Sequence, residues 1–434
     1  MEKIIQSLKR KGIKSEIIYE KSIKTTVKFK TDFPYSISVK EEEGYGIRVI
    51  SNGKLGFSST NSEKRLKETA DNAVHLSKYG EPAFFDFPSL SSYSSLKVTN
   101  KKIENLSSSK LLEIGREIVD TIKTIDEEMK VDITLVNTKW ERNLKNSSGL
   151  SLLFKKSAFY LFVSFLRVTD EGLVSSTEFF NLSDGKEFPI DEVRAWIKKE
   201  KEFIEKKVKF KEGIYDVIFY PDALSSIIFP ALAQGINGVN FIKRVSPLVE
   251  SEDKKICDER ISIYDDPLLD YKVYSAPWDG EGVPHQRNSI IDKGIFKGFL
   301  FDLQTAAKAK RKTTGNSIRS YANSSNPGTT NIVIERQDKD FEGMLQEIKK
   351  GVIVKEVLGG GMANTMAGAF SVTVSHGYMV EHGEITGRVK DLAIAGNIYS
   401  LLNQVKEIGN KTKELPGFIS PAILFEKVRI ASKK

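Results

Sequence analysis

Four histidines and one cysteine are the residues of this 434-residue chain most able to bind a metal or act as a nucleophile. His75, His285, His376 and His382 form no zincin-type pair. His376 and His382 have the same strand parity and would share a face, but six residues at about 3.3 Å each separate them by roughly 20 Å. Zinc ligands sit about 2 Å from their ion, so an extended strand cannot bring this pair to one metal. His285 follows Glu281 closely and has the chemistry of a general base, without an evident partner. Cys257 is the single cysteine, which forbids an internal disulfide and any multi-cysteine zinc site and suits a reducing compartment. The run Gly359-Gly360-Gly361-Met362-Ala363 lacks the Gly-Lys-Ser/Thr of a phosphate loop, and no Gly-x-Ser-x-Gly elbow occurs.

The densest run of residues with a backbone or chemical reason to be present extends from Trp278 to Arg319. Gly280 and Gly282 bracket Glu281, and Asp292-Lys293-Gly294 breaks an alternating run as a hairpin turn would. A polar segment, Thr314-Gly315-Asn316, then leads to Arg319. Loops with charged tips laid over a sheet commonly host sites. Glu281, Gly282, Arg287, Thr314, Gly315, Asn316 and Arg319 are therefore the candidate substrate or interface residues.

The elements that must position these residues read as α+β. Ile4, Ile5 and Leu8 mark a short N-terminal helix, and alternation from Ile23 to Val39 marks strands. Asn52-Gly53 makes a hairpin. Helices are expected over 61–79 and 109–123, with strands over 131–180 joined by short turns, which favours antiparallel sheets with packed helices. A charged helix over 189–207 leads to a boundary near Lys207 to Gly213, dividing the chain into an N-terminal α+β domain, 1–207, and a strand-rich domain, 208–434. In the second part, the spacing predicts a helix from Asp222 that Pro230 interrupts, and a last helix over Ile394 to Gly409.

Composition bounds the function. The 66 Lys and Arg against 58 Asp and Glu leave a net charge of +8, a small excess of two interspersed populations. The basic cluster Lys308, Lys310, Arg311 and Lys312 has no aromatic platform among it, so nucleic acid is not indicated. No apolar run is long enough to span a membrane and no secretion signal opens the chain, so a cytoplasmic location is expected.

Several motifs, weak singly, occur together in one order: Gly44-Tyr45-Gly46-Ile47-Arg48-Val49 with Gly53-Lys54-Leu55-Gly56-Phe57, Asn146-Ser147-Ser148-Gly149, Gly280-Glu281-Gly282-Val283-Pro284, Thr313-Thr314-Gly315-Asn316, and the block from Gly359 to Gly383. In this the chain resembles the TldD/PmbA metallopeptidase family over nearly its whole length. The resemblance implies a cytoplasmic zinc peptidase of two related subunits, TldD and TldE (PmbA), that encloses a chamber for unfolded or leader peptides. In the TldD branch a helix carries His-Glu-x-x-x-His and a later cysteine completes the zinc site. Alignment through Gly235-Ile236-Asn237-Gly238 puts Phe229, Pro230 and Gln234 at the first histidine, the glutamate and the second histidine, and no cysteine follows Cys257. The chain is accordingly similar to the TldE branch. That implies a non-catalytic subunit with no metal or cofactor of its own, paired with a zinc-bearing TldD-type partner. The rival expectation is a stand-alone homodimer that binds peptides or acts as a gyrase-modulator-like regulator without cutting.

Overall fold

The computed structural model describes every residue except Glu171, Lys207, Gly360, Gly361, Met362, Lys433 and Lys434. The expected glycine turn after Gly359 and the first residue of the expected boundary, Lys207, thus lie outside the described residues. The fold is α+β, built on two large sheets.

The first sheet is wholly antiparallel, with β1 (Lys14–Lys30), β2 (Phe33–Ser51), β3 (Lys54–Thr60), β4 (Lys130–Asn146), β5 (Ser151–Thr169) and β6 (Gly172–Asn181) in the order β3-β2-β1-β4-β5-β6. Its two faces separate by strand parity: Ile17 points to one side and Ile18 to the other, and both are fully buried. The Ile17 side carries the helices. Glu2–Arg10 and Leu66–Ser77 cover one end with Leu8 and Ala73 over Ile47 and Val49. Ser108–Ile125 and Ile190–Ile204 cover the other with Ile118, Ile122 and Ile197 over Val27, Leu135 and Val163. The Ser107 hydroxyl caps the third of these helices by accepting from the Lys110 amide. Gly115 lets that helix approach, since a Cβ there would come within 2.1 Å of the Phe29 ring. Trimming a fully buried residue such as Ile118 to alanine costs about 2–5 kcal/mol, so the helix layer fixes this face firmly. The Ile18 side is left for the second half of the chain.

That half forms an eleven-stranded mixed sheet. Its members are β7 (Gly213–Phe219), β8 (Ile263–Asp265), β9 (Asn288–Asp292) and β10 (Ile295–Phe296), then, after a small ribbon of β11 (Ser317–Ile318) and β12 (Asn326–Pro327), β13 (Ile332–Ile334), β14 (Lys350–Leu358), β15 (Ala369–Glu381), β16 (Glu384–Val389), β17 (Leu392–Asn397), β18 (Val405–Leu415) and β19 (Phe418–Ser432). The pairs β7–β14 and β13–β19 are parallel and the rest antiparallel.

Two expectations fail here for physical reasons. The helix Pro221–Gly235 runs through Pro230 without a break. Proline removes one amide bond, the one to the Ser226 carbonyl, but Leu224, Ile227, Ile228, Ala231 and Leu232 bury on the sheet around it and hold the helix. Ile394 to Gly409 is not a helix either. Leu401, Val405 and Ile408 have helical spacing, yet Leu401 ends a four-residue helix, Ile398–Leu401, capped by Asn397 after β17, and Val405 and Ile408 belong to β18. Alternation across a sheet and a turn imitated a helical stripe. Among the described residues no helix is long and apolar enough to cross a membrane.

Candidate functional site

Strand parity builds the floor of a ligand-sized cleft. Thr138, Trp140 and Arg142 of β4 stand beside Lys156, Ala158 and Tyr160 of β5, with Trp140 directly opposite Lys156 and Thr138 opposite Ala158. All six face the side of the first sheet away from its helices. The roof comes from the second half, from Tyr274 to Gly280, from Asn316 to Arg319, and from Phe229 on the helix Pro221–Gly235. The cleft has a volume of about 590 Å³, within the usual size of small-ligand pockets. Trp278 joins floor and roof, packing through Phe154, which lies 5.5 Å from Trp140 and 6.2 Å from Trp278 between ring centres.

Two cations stand on the floor. The Lys156 ammonium donates to the carbonyls of Lys272 and Val273 at 2.7 Å and of Ser275 at 2.8 Å. No carboxylate pairs with it among the described residues, and burial pulls its pKa down to about 7. Arg142 gives Nε and Nη2 to Glu20, at 2.8 and 2.5 Å, and Nη2 also to the Arg319 carbonyl. Its guanidinium lies 4.3 Å from the Trp140 ring centre.

Beside the floor, on the same face of the first sheet, a buried ion network locks the loop Trp278–Arg319 to that sheet. Glu16 of β1 is the direct cross-strand partner of Arg48 of β2, and Glu20 is that of Arg142. Arg48 bridges Glu16 at 3.0 Å and Glu281 at 2.5 Å, between the rings of Phe85 and Phe87. Arg319 donates to Glu16 as well. Glu281 accepts the Leu303 amide at 2.8 Å; burial raises its pKa and Arg48 draws it back. Asp279 takes three amides, those of Glu281, Val283 and Ser317, while burial and Glu281 push it up to about 8.

The candidate residues of the sequence thus occupy different places. Asn316 and Arg319 border the cleft, and Glu281 sits behind its wall in the ion network. Gly282 turns with φ +78° against Leu144 and Leu150, where a Cβ would approach within 2.7 Å. Thr314 accepts the Phe301 amide at 2.7 Å, Gly315 lies against the Pro284 backbone, and Asn316 donates to Asp265 at 2.7 Å. Arg287 is exposed and stacks 3.5 Å from the Tyr264 ring centre, away from the cleft. Sequence reasoning missed Trp140, Arg142 and Lys156. Their signal was the alternation of polar and aromatic residues on strands whose opposite face is apolar.

The histidines do not converge. His75 is exposed on its helix. His382 occupies a turn with φ +52°. His376 is buried, 3.0 Å from Glu200 and 2.9 Å from the Tyr378 hydroxyl. His285 borders the cleft, its Nδ1 without a partner among the described residues, and burial pushes its pKa down to about 4. Cys257 is buried in the apolar core, which drives its thiol up to about 12. Phe229 packs on Phe418, Pro230 is half-buried, and Gln234 is exposed and accepts from Asn240. None of these side chains suits zinc. Among the described residues no group of three or more His, Cys, Asp or Glu is placed to hold a metal.

Comparison with known proteins agrees with this architecture. The model of the PmbA/TldA metallopeptidase C-terminal domain matches residues 212–432, and that of domain 1 matches 15–77. A zinc metalloprotease TldD homolog of Saccharolobus solfataricus is 26% identical over 93% of this chain and 90% of its own. A metalloprotease PmbA homolog of Buchnera aphidicola is 23% identical over 96% and 92%. Among solved structures, TldE from Thermococcus kodakarensis superposes over 100% of both chains with a TM-score of 0.90 and 25% identity. A Thermotoga maritima protein named for modulation of DNA gyrase shares the fold, with a TM-score of 0.90, 23% identity and 99% of each chain covered. Because the C-terminal model alone spans just over half of the sequence, the chain belongs to the PmbA/TldD metallopeptidase family.

Proposed function

We propose that this chain is the non-catalytic, TldE-like subunit of a two-subunit zinc peptidase of the cytoplasm. In this reading a TldD-type partner supplies the metal and the general base, and this chain receives and positions unfolded or leader peptides. The observation that carries it is Phe229. It stands on the helix that borders the cleft, at the position given by alignment to the first zinc-binding histidine of the TldD branch, and a phenyl ring cannot donate to a metal. Pro230 likewise cannot take a proton from a metal-bound water, and Gln234 offers only a weak amide oxygen. The aromatic and polar lining suits peptide side chains.

The test is metal analysis and peptidase assay of the chain purified alone and then co-expressed with a zinc-bearing TldD-type partner. Zinc and chelator-sensitive cleavage only in the co-expressed pair is the expected result. Zinc-dependent cleavage by this chain alone overturns the reading.

A further inference from the structure

On the reading that the cleft receives peptide, we infer that it captures the free C-terminal carboxylate of a peptide with an apolar last side chain, the carboxylate facing Arg142 and Lys156. The charges at the cleft support one anion carrying one negative charge. Arg142 is neutralised by Glu20, and Arg48 and Arg319 by Glu16 and Glu281. Asp279, the one acid on the lining among the described residues, is held toward its protonated form by burial and by Glu281. That leaves Lys156 as the cation on the lining without a carboxylate among the described residues. Its three protons are spent on carbonyls, so it offers field more than a hydrogen bond. Arg142 supplies the bond. Its Nε and Nη2 are engaged and Nη1 has no protein partner among the described residues.

The two residues come within reach through strand register. Lys156 is opposite Trp140, two residues along β4 from Arg142, so the cations are diagonal neighbours on one face. Around them the walls are aromatic: Trp140, Tyr160, Phe229, Tyr274 and Trp278. A carboxylate attached to an apolar body matches that pairing of walls and charge. A peptide's amino terminus is repelled by the same cations, an internal peptide bond carries no charge to meet them, and a phosphate dianion exceeds the single free positive charge. Of the parts of a peptide, the C-terminal residue fits.

Binding is measured on the full chain below pH 7, where Lys156 keeps its proton, with an N-acetylated peptide of four alanines and a terminal phenylalanine, prepared as the free acid and as the amide. Calorimetry gives the affinity, and tryptophan fluorescence reports the site, since Trp140 and Trp278 line it and Trp196 is the third tryptophan of the chain. The acid is expected to bind about tenfold tighter than the amide and to change the fluorescence. Lys156→Met is expected to bring the acid down to the affinity of the amide. Ala158→Phe, which fills the floor and keeps every charge, is expected to weaken both forms. Equal binding of acid and amide by the wild-type chain overturns the inference and leaves the peptide-handling reading standing. No binding of either form, with or without the zinc-bearing partner, overturns both. If Lys156→Met does not fold, the wild-type comparison of acid with amide decides alone.

Discussion

Two buried polar clusters tie the first sheet to the second, and they are finished differently. Around Glu200, on the helix Ile190–Ile204, the partners are complete: Lys355 at 2.5 Å, Tyr378 at 2.7 Å, His376 at 3.0 Å and the Trp196 indole at 3.2 Å. At and beside the cleft, Arg319 keeps Nε and Nη2, Arg48 keeps Nε, Glu16 keeps Oε2 and His285 keeps Nδ1 without a partner among the described residues. A cluster that serves only cohesion closes its hydrogen bonds, because each buried group left open costs about 1–3 kcal/mol. The open groups of this second cluster lie beside a cavity. The first cluster is therefore a clamp, and the second forfeits stability beside the place where a ligand would sit.

The comparison breaks most readily at the clamp. Glu200→Ala strands the Lys355 ammonium in the interior, and urea unfolding should register a loss of about 3–5 kcal/mol. A loss below about 1 kcal/mol means the clamp is not what joins the sheets.

Lys156 sharpens the other side. Its folded pKa is near 7 and its ordinary value 10.5. Between these pH values the unfolded chain holds a proton that the folded chain has released, so stability rises with pH across that window and is flat below it. Relative to Lys156→Met, the wild-type chain should gain up to about 4 kcal/mol from pH 7 to pH 10.5, followed by thermal unfolding at each pH. A flat difference shows that the three carbonyls keep the ammonium charged.

Gly282→Ala forces a Cβ against Leu144 and Leu150 at positive φ. Its expected cost is about 2 kcal/mol, measured by urea unfolding, with the acid-over-amide preference of the cleft retained. Arg287→Ala removes only the stack on Tyr264, so a loss of about 0.5–1 kcal/mol is expected, with no change in peptide binding by calorimetry.

What was legible in the sequence was local. Asn52-Gly53 and Lys293-Gly294 turn with positive φ at both residues, as their composition announces, and helices such as Ser108–Ile125 show their stripe directly. The helix through Pro230 was misread because its stability comes from burial on the second sheet, which outweighs one missing amide bond. The stretch 394–409 was misread because two periodicities coincide over a few residues. At the site, the Trp278–Arg319 loop stood out through its glycines and charges. Lys156 did not, since its partners at 272–275 lie more than a hundred residues away in sequence and only the packing of that loop on the first sheet brings them together. The ion network was hidden for the same reason: Glu16 and Arg319 are 303 positions apart.

The place of β1 between β2 and β4 has a consequence for how the chain leaves the ribosome. β2 follows β1 at once, but about 100 residues separate the end of β1 at Lys30 from the start of β4 at Lys130. At roughly 5–20 residues per second, translation leaves one edge of β1 bare for about 5–20 s. Throughout that interval the nascent hairpin offers an unsatisfied backbone edge to any other chain emerging nearby. Its yield in cells should therefore depend on the pace of synthesis and on chaperones that shield the edge until Lys130 and the residues after it arrive.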